Sequence, residues 1–170
     1  VLVSGLVVDI ERLGASRGLA WPSDMLSFID DSATLLPALR ECLESVNGRL
    51  PTGSAVPVED VKLQAPIPRP RKNIFGIGLN YREHVAESAK SLDTSKELPK
   101  QPVVFSKPPT SVIGPGAAIH HNAKMTQQLD WEVELAVIIR KTATRISVEK
   151  AMDHVFGYSV MIDISARDNR

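Results

Sequence analysis

The sequence has little of what disulfide-stapled, nucleic-acid-binding or membrane-spanning proteins need. A single cysteine, Cys42, in 170 residues excludes an internal disulfide and indicates a reducing compartment. Lysine plus arginine and aspartate plus glutamate number 20 each, so no basic field attracts nucleic acid or an anionic membrane. No apolar run is long enough to span a membrane, and the N-terminus lacks the features of a signal peptide. We therefore expect a cytoplasmic protein without nucleic-acid or membrane partners.

Apolar residues, by contrast, are sufficient for a core. They make up 43% of the chain and charged residues 24%, a balance typical of folded proteins. The length corresponds to one ordinary domain, or to one small domain and one incomplete larger domain. Five prolines between Leu50 and Pro70 predict a loop or extended linker. We expect a small domain with its linker over residues 1–68 and a second domain over residues 69–170.

The first of these domains mixes strands and helices in its sequence pattern. The stretch Val1–Ile10 is rich in β-branched residues and predicts a strand with a bend expected at Gly5, and a second short strand is expected near Leu19–Trp21. Helices follow, with N-caps expected within residues 23–24 and at Ser32. Cys42 lies on the apolar stripe of the second helix, which predicts a thiol in the core.

The most informative stretch is Leu129–Ile139. Its apolar residues share one parity, which predicts a strand with one face in a core: Trp131, Val133, Leu135, Val137 and Ile139. Glu132 and Glu134 occupy the other parity, about 7 Å apart on one face. Either this face is solvated, or a cation between the two carboxylates offsets their repulsion.

A third acid, Asp163, interrupts the apolar run Tyr158–Ile164, which otherwise suits a buried strand. A buried, unpaired carboxylate costs several kcal/mol, so Asp163 should be protonated, salt-bridged or bound to a metal. Three carboxylates from two strands, with no histidine or cysteine near them in the sequence, favour Mg²⁺, Mn²⁺ or Ca²⁺ over zinc.

Two further features have a functional and a plain alternative. His84 and Glu87 lie three residues apart on a helix predicted over Asn80–Lys90, so both face the same side. A carboxylate that accepts a hydrogen bond from one imidazole nitrogen leaves the other nitrogen as a base, although an exposed His and Glu pair also fits the pattern. Lys107 ends a strand predicted over Pro102–Lys107, where it either holds a substrate carboxylate or is merely solvated.

Four motifs in order resemble the fumarylacetoacetate hydrolase family: GIGLNYREHVAE, PVVFSKPPTSVIGPG, LDWEVELAVII and GYSVMIDISARD. The resemblance covers Arg71 to Arg170, and the preceding part is similar to the small α/β domain found in many bacterial members. It implies an α+β, mostly β fold, with a mixed β roll around a metal. The family fold continues beyond the ISARD segment and includes a later lysine, so we expect this roll to be incomplete and the chain truncated.

The resemblance also implies roles for individual residues. Three acids would be the metal ligands: Glu132, Glu134 and Asp163. His84 and Glu87 would form the dyad that activates water. Arg167 would lie close to the substrate. Apart from the resemblance, we expect Lys107 and Tyr81 to contact the substrate as well. Family members use Mg²⁺ or Mn²⁺ and are usually homodimers, and Arg140 stands where they usually have glycine.

The function implied is hydrolysis of a carbon–carbon bond in an acylpyruvate or fumarylacetoacetate-like diketo acid, through a metal-bound enolate in bacterial aromatic catabolism. The same enolate supports isomerisation, as of 2-hydroxyhepta-2,4-diene-1,7-dioate, or decarboxylation, as of oxaloacetate. The sequence alone leaves these outcomes open, together with a catalytically inactive truncated module.

Overall fold

The computed structural model describes residues 1–81 and 99–169. Over these residues the chain forms three small sheets and several short helices, and every described strand pair is antiparallel. The chain divides into two compact units, one formed by Val1–Lys62 with Ala118–Arg170 and the other by Leu63–Ala117. The predicted helix over Asn80–Lys90 and the predicted dyad of His84 and Glu87 lie outside the described residues.

A three-stranded sheet opens the first unit. Its strands are β1 (Leu2–Val3), β2 (Leu6–Val8) and β3 (Ala55–Pro57), in that order. The strand predicted over Val1–Ile10 with a bend at Gly5 is instead two strands, because Ser4 and Gly5 turn the chain back completely at φ of 47° and 80°. β3 lies within the segment predicted to be a linker, where it pairs with β2 along the edge of the sheet.

Three helices follow the first hairpin: α1 (Ile10–Ala15), α2 (Met25–Asp30) and α3 (Ser32–Ser45). The side chain of Asp24 accepts from the backbone N–H of Ser27 and caps α2, as predicted. Ser32 is the first residue of α3 rather than its cap. The strand predicted near Leu19–Trp21 is wrong, because Leu19 N–H closes the end of α1 on the carbonyl of Gly14.

The core of this unit lies between the sheet and the helices. Its buried members are Val8, Leu13, Trp21, Phe28, Leu39 and Cys42. Cys42 is 4% exposed, which confirms the predicted core thiol. Each large apolar side chain buried here contributes about 1.5–3 kcal/mol. Phe156 joins the core through an edge-to-face contact with Phe28, with ring centroids 6.5 Å apart.

The second unit contains a two-stranded antiparallel sheet of β4 (Ile74–Gly78) and β5 (Val103–Lys107). The strand predicted over Pro102–Lys107 is confirmed as β5. Gly76 lies opposite Phe105, whose ring covers the position that a Cβ atom on Gly76 would occupy. The close pairing of the two strands at this point therefore requires glycine.

A long hairpin carries the predicted metal ligands. β6 (Leu129–Ile139) pairs with β7 (Val155–Ala166), and the segment between them contains the short helix α4 (Val148–Ala151). The register is regular up to Ile138 and shifts between Ile138 and Ile139. The chain turns before Val155, and Gly157 lies inside β7 opposite Ile138. None of the described helices is long and apolar enough to cross a membrane.

Candidate metal centre

The two faces of the β6–β7 hairpin are unequally exposed. The apolar face predicted to lie in a core is the exposed one: Trp131 is 66%, Val133 64% and Val160 74% exposed. The prediction of burial for this face is therefore wrong, because alternation separates two faces without stating which of them is covered. The half-buried face of β6 is the one that carries the acids.

The strand register brings the three predicted ligands onto this half-buried face. Glu132 pairs directly with Asp163, and Glu134 lies two residues further along β6, opposite Met161. Directly opposed residues of an antiparallel pair have Cβ atoms about 4.5–5.5 Å apart, so the carboxylates of Glu132 and Asp163 are neighbours. Asp163 is 9% exposed, which confirms the burial expected of this acid.

Arg167 lies just beyond β7 and binds two acids of β6. Its Nε donates to Asp130 Oδ2 at 2.8 Å, and its Nη2 lies 3.0 Å from Glu132 Oε1. The hydroxyl of Ser165 donates to the same Glu132 oxygen at 3.0 Å. The hydrogen bond to Asp130 is the largest of the effects that raise the pKa of the Arg167 guanidinium. One cation therefore offsets two carboxylates on this face.

The three predicted ligands have the right donor atoms for a divalent ion, but their side chains are not placed to bind one. All three acids offer carboxylate oxygens, the ligands that Mg²⁺, Mn²⁺ and Ca²⁺ prefer. Over residues 1–81 and 99–169, however, no group of three or more histidine, cysteine or acidic side chains is arranged to hold a metal. Glu132 is turned toward Arg167 and Ser165, so its side chain would have to rotate to serve as a ligand. The assignment of Glu132, Glu134 and Asp163 as ligands stays a prediction.

The other two predicted substrate contacts belong to the Leu63–Ala117 unit. Lys107 is the last residue of β5, and its Nζ lies 5.9 Å from the ring centroid of Phe105, within cation–π range. Tyr81 follows β4 and is 57% exposed. Leu79, between β4 and Tyr81, has a left-handed φ of 53°, which is strained for a leucine. The roles of Lys107 and Tyr81 stay predictions, as do those of His84 and Glu87.

Sequence reasoning missed two members of the acid face, Asp130 and Ser165. Asp130 has the same parity in the sequence as Glu132, and Ser165 has the same parity as Asp163. Arg167 continues the parity of Asp163 and Ser165. Extending the period-two count by one step at the start of β6 and at the end of β7 would have found them. The pairing of Asp130 with Ser165 across the ladder then follows from the register.

A third missed residue, Asp168, fastens the end of β7 to the segment before β6. Its carboxylate accepts hydrogen bonds from the Thr126 hydroxyl and, at 2.8 Å, from the Gln127 N–H. These two bonds, that from Thr126 first, lower the pKa of Asp168. Arg167 N–H adds a 2.9 Å bond to the Gln128 carbonyl, so the chain is held on both sides of the Arg167 side chain.

Comparison with protein families gives a match to the C-terminal domain of fumarylacetoacetate hydrolase over residues 73–170. The chain belongs to the fumarylacetoacetate hydrolase family. The family expected from the four motifs is thereby confirmed. The matched range begins close to the predicted domain boundary and includes both strands of the acid hairpin, whereas the division at residues 68 and 69 itself stays a prediction.

Individual relatives cover different parts of the chain. The oxaloacetate tautomerase YisK of Bacillus subtilis is 50% identical over 111 residues, which are 65% of this chain and 36% of the relative. Fumarylacetoacetate hydrolase from Exiguobacterium antarcticum has a TM-score of 0.64 at 29% identity, and the match covers 98% of this chain and 51% of that one.

A third similar protein is maleylpyruvate hydrolase from Sphingobium sp. SYK-6, solved in complex with manganese(II) and pyruvate. It has a TM-score of 0.68 at 26% identity, over 98% of this chain and 55% of that one. The chain thus spans about half the length of the similar structures, and about a third of the tautomerase. The expected α+β fold of the fumarylacetoacetate hydrolase type, present in part, is confirmed.

Proposed function

We propose that this chain belongs to a divalent-metal-dependent enzyme that acts on 2-oxo acids. The observation that carries the proposal is the direct pairing of Glu132 with Asp163, with Glu134 on the same half-buried face. These hard oxygen donors suit Mg²⁺, Mn²⁺ or Ca²⁺. The similar maleylpyruvate hydrolase, a complex with manganese(II) and pyruvate, supports both the kind of ion and the kind of ligand.

The acid face supplies two things to such a reaction. Glu132, Glu134 and Asp163 would hold the ion, which when bound supplies the positive charge that stabilises a developing enolate. Arg167, held by Asp130 through Nε and by Glu132 through Nη2, places its guanidinium beside the acids. A guanidinium binds a carboxylate with two parallel hydrogen bonds, so Arg167 is suited to orient an acid group of the substrate.

For the reaction itself, keto–enol tautomerisation of a 2-oxo diacid such as oxaloacetate is the first candidate. It is favoured by the 50% identity to a protein named as an oxaloacetate tautomerase. It needs proton transfer at the carbon beside the keto group and no attacking water. For this step the predicted base is His84, oriented by Glu87.

Hydrolysis of a carbon–carbon bond in an acylpyruvate is the second candidate, and the similarity to maleylpyruvate hydrolase favours it. Here the His84 and Glu87 dyad would activate water for attack on the distal carbonyl. Decarboxylation, which forms an enolate as carbon dioxide leaves, and double-bond isomerisation, which passes through a dienolate, are further alternatives. Product analysis of the protein with oxaloacetate and with a panel of acylpyruvates, by NMR and by the ultraviolet absorbance of the enol, separates these outcomes.

Titration with Mn²⁺ tests the metal-dependent part of the proposal. We expect saturable binding that Glu134→Gln weakens at least tenfold, because the loss of even an outer-shell partner commonly costs 10–100-fold in metal affinity. Glu149→Gln, which changes an acid at the start of α4 instead, is the matched control and should leave the affinity unchanged. Absence of saturable Mn²⁺ binding, or equal affinity in the Glu134 variant, would favour the inactive module.

We also propose a cytoplasmic homodimer, as in other members of the family. The exposed apolar face of the hairpin is consistent with association of this kind, since contiguous apolar surface on a monomer commonly marks an interface. Sedimentation equilibrium of the protein decides between monomer and dimer.

A further inference from the structure

The predicted ligand Glu132 is already engaged in an ion pair and a hydrogen bond. Its Oε1 accepts a hydrogen bond from the Ser165 hydroxyl and forms an ion pair with Arg167 Nη2, each at 3.0 Å. The pair is largely shielded, with 28% of the Arg167 side chain and 21% of the Glu132 side chain exposed. A carboxylate oxygen that already accepts from a guanidinium and a hydroxyl in this way has little capacity left for a metal ion.

We propose that Arg167 and a divalent cation exclude each other at Glu132, so that the cation must displace the guanidinium to gain this ligand. The inference rests on the metal site of the proposed function. Two physical effects act in the same direction. The guanidinium occupies the oxygen that the metal needs, and its positive charge repels a cation held by the neighbouring acids.

Asp130 determines where the displaced guanidinium goes. It holds Arg167 through Nε, on a different nitrogen from the one that faces Glu132. The other oxygen of Asp130 accepts from the Trp131 backbone N–H at 2.8 Å, which fixes the carboxylate in place. After release from Glu132, Arg167 would remain bound to Asp130 through Nε. Asp130 is a positioning residue in this proposal, because it would keep the freed guanidinium beside the acids.

The proposal predicts opposite effects from the two partners of one ion pair. Arg167→Gln removes the competing guanidinium and should tighten Mn²⁺ binding about tenfold. Arg167→Lys keeps the positive charge but lacks the paired donors of the guanidinium, so its Mn²⁺ affinity should lie between those of Arg167→Gln and the wild type. Asp130→Asn removes the tether that stabilises the displaced arginine, so it should weaken binding. A pair with a merely structural role would instead lower the stability of the fold in both variants without opposite shifts in affinity.

The experiment is a Mn²⁺ titration of the wild-type chain and the variants, followed by the electron paramagnetic resonance signal of free Mn²⁺. Arg140→Gln is the matched control, since Arg140 donates to a backbone carbonyl of Asp153 at the other end of the hairpin. It should bind as the wild type does. Ser165→Ala leaves all charges in place but removes one hydrogen bond to Glu132 Oε1, so it should tighten Mn²⁺ binding about threefold. This variant replaces Arg167→Gln in the test if the latter does not fold.

The combination of Asp130→Asn with Arg167→Gln separates tethering from simple charge. If Asp130 acts through Arg167, its substitution loses most of its effect in the absence of the arginine. Saturable binding by the wild type with no gain in Arg167→Gln and Ser165→Ala would overturn the inference and leave the proposed function standing. Failure of the wild type and of both variants to bind Mn²⁺ would overturn both.

Discussion

Replacement of Gly76 by alanine is the sharpest test of the packing in the Leu63–Ala117 unit. An added Cβ would overlap the ring of Phe105 on the opposing strand. Phe105 is 40% exposed, so its ring can escape by swinging out into solvent. The strand pair must then either keep the overlap or lose the aromatic contact.

Both alternatives cost free energy of unfolding. Overpacking of a well-fitted site costs about 1–3 kcal/mol. A phenylalanine side chain presents about 200 Å² of apolar surface, and burial contributes about 25 cal/mol for each Å². Full exposure of the ring would therefore remove roughly 120 Å² of apolar burial, which corresponds to about 3 kcal/mol. We expect Gly76→Ala to lower the free energy of unfolding by about 1–3 kcal/mol, measured by urea denaturation followed by circular dichroism.

The chain offers a matched control in Gly157, which also lies inside a strand. A Cβ there meets nothing within 4 Å, and its φ is not in the left-handed region. Gly157→Ala should be neutral or should stabilise by about 0.5 kcal/mol, because alanine restricts the unfolded chain. Phe105→Ala should also remove the penalty at position 76. Equal stability of the two alanine variants, or a penalty at Gly76 that persists without Phe105, would refute the packing argument.

Two further outcomes are expected in the first unit. Trp131 is 66% exposed and Trp21 is 8% exposed. Acrylamide should therefore quench the fluorescence of Trp131, measured in Trp21→Phe, several-fold more strongly than that of Trp21, measured in Trp131→Phe. Equal quenching would mean that the apolar face is covered. The pKa of Asp168 in the folded state lies below its usual value, chiefly because the carboxylate accepts a hydrogen bond from the Thr126 hydroxyl. The contribution of Asp168 to stability is therefore present above about pH 4 and is lost as the pH falls through the folded-state pKa. The difference in unfolding free energy between the wild type and Asp168→Asn should therefore shrink on acidification, and a difference that stays constant with pH would contradict this role.

The acid hairpin was largely predictable because its signals are local. The alternation in Leu129–Ile139 predicts β6 and places Glu132 and Glu134 on one face, and the acid within Tyr158–Ile164 predicts a buried Asp163. The direct pairing of Glu132 with Asp163 was not predictable, because register depends on contacts between segments far apart in the sequence. For the same reason the pattern could not tell which face of β6 is covered.

The errors in the first unit come from turns and from competition for backbone groups. Ser4 and Gly5 split a β-rich run into a hairpin, since a non-glycine residue with positive φ has no strong sequence signal. Leu19 looks suited to a strand, yet its N–H is used to close α1. Proline density predicted the irregular course of Leu50–Pro70, but not that Ala55–Pro57 pairs with β2.

The guanidinium between Asp130 and Glu132 has a consequence for assembly of the hairpin. Pairing β6 with β7 sets Glu132 directly across from Asp163, and like charges opposite each other in an antiparallel ladder oppose its formation. Arg167 follows β7, four residues after Asp163, and its guanidinium brings a positive charge to Glu132. We therefore expect the two strands to pair without a bound ion, because the polypeptide itself supplies a counter-charge.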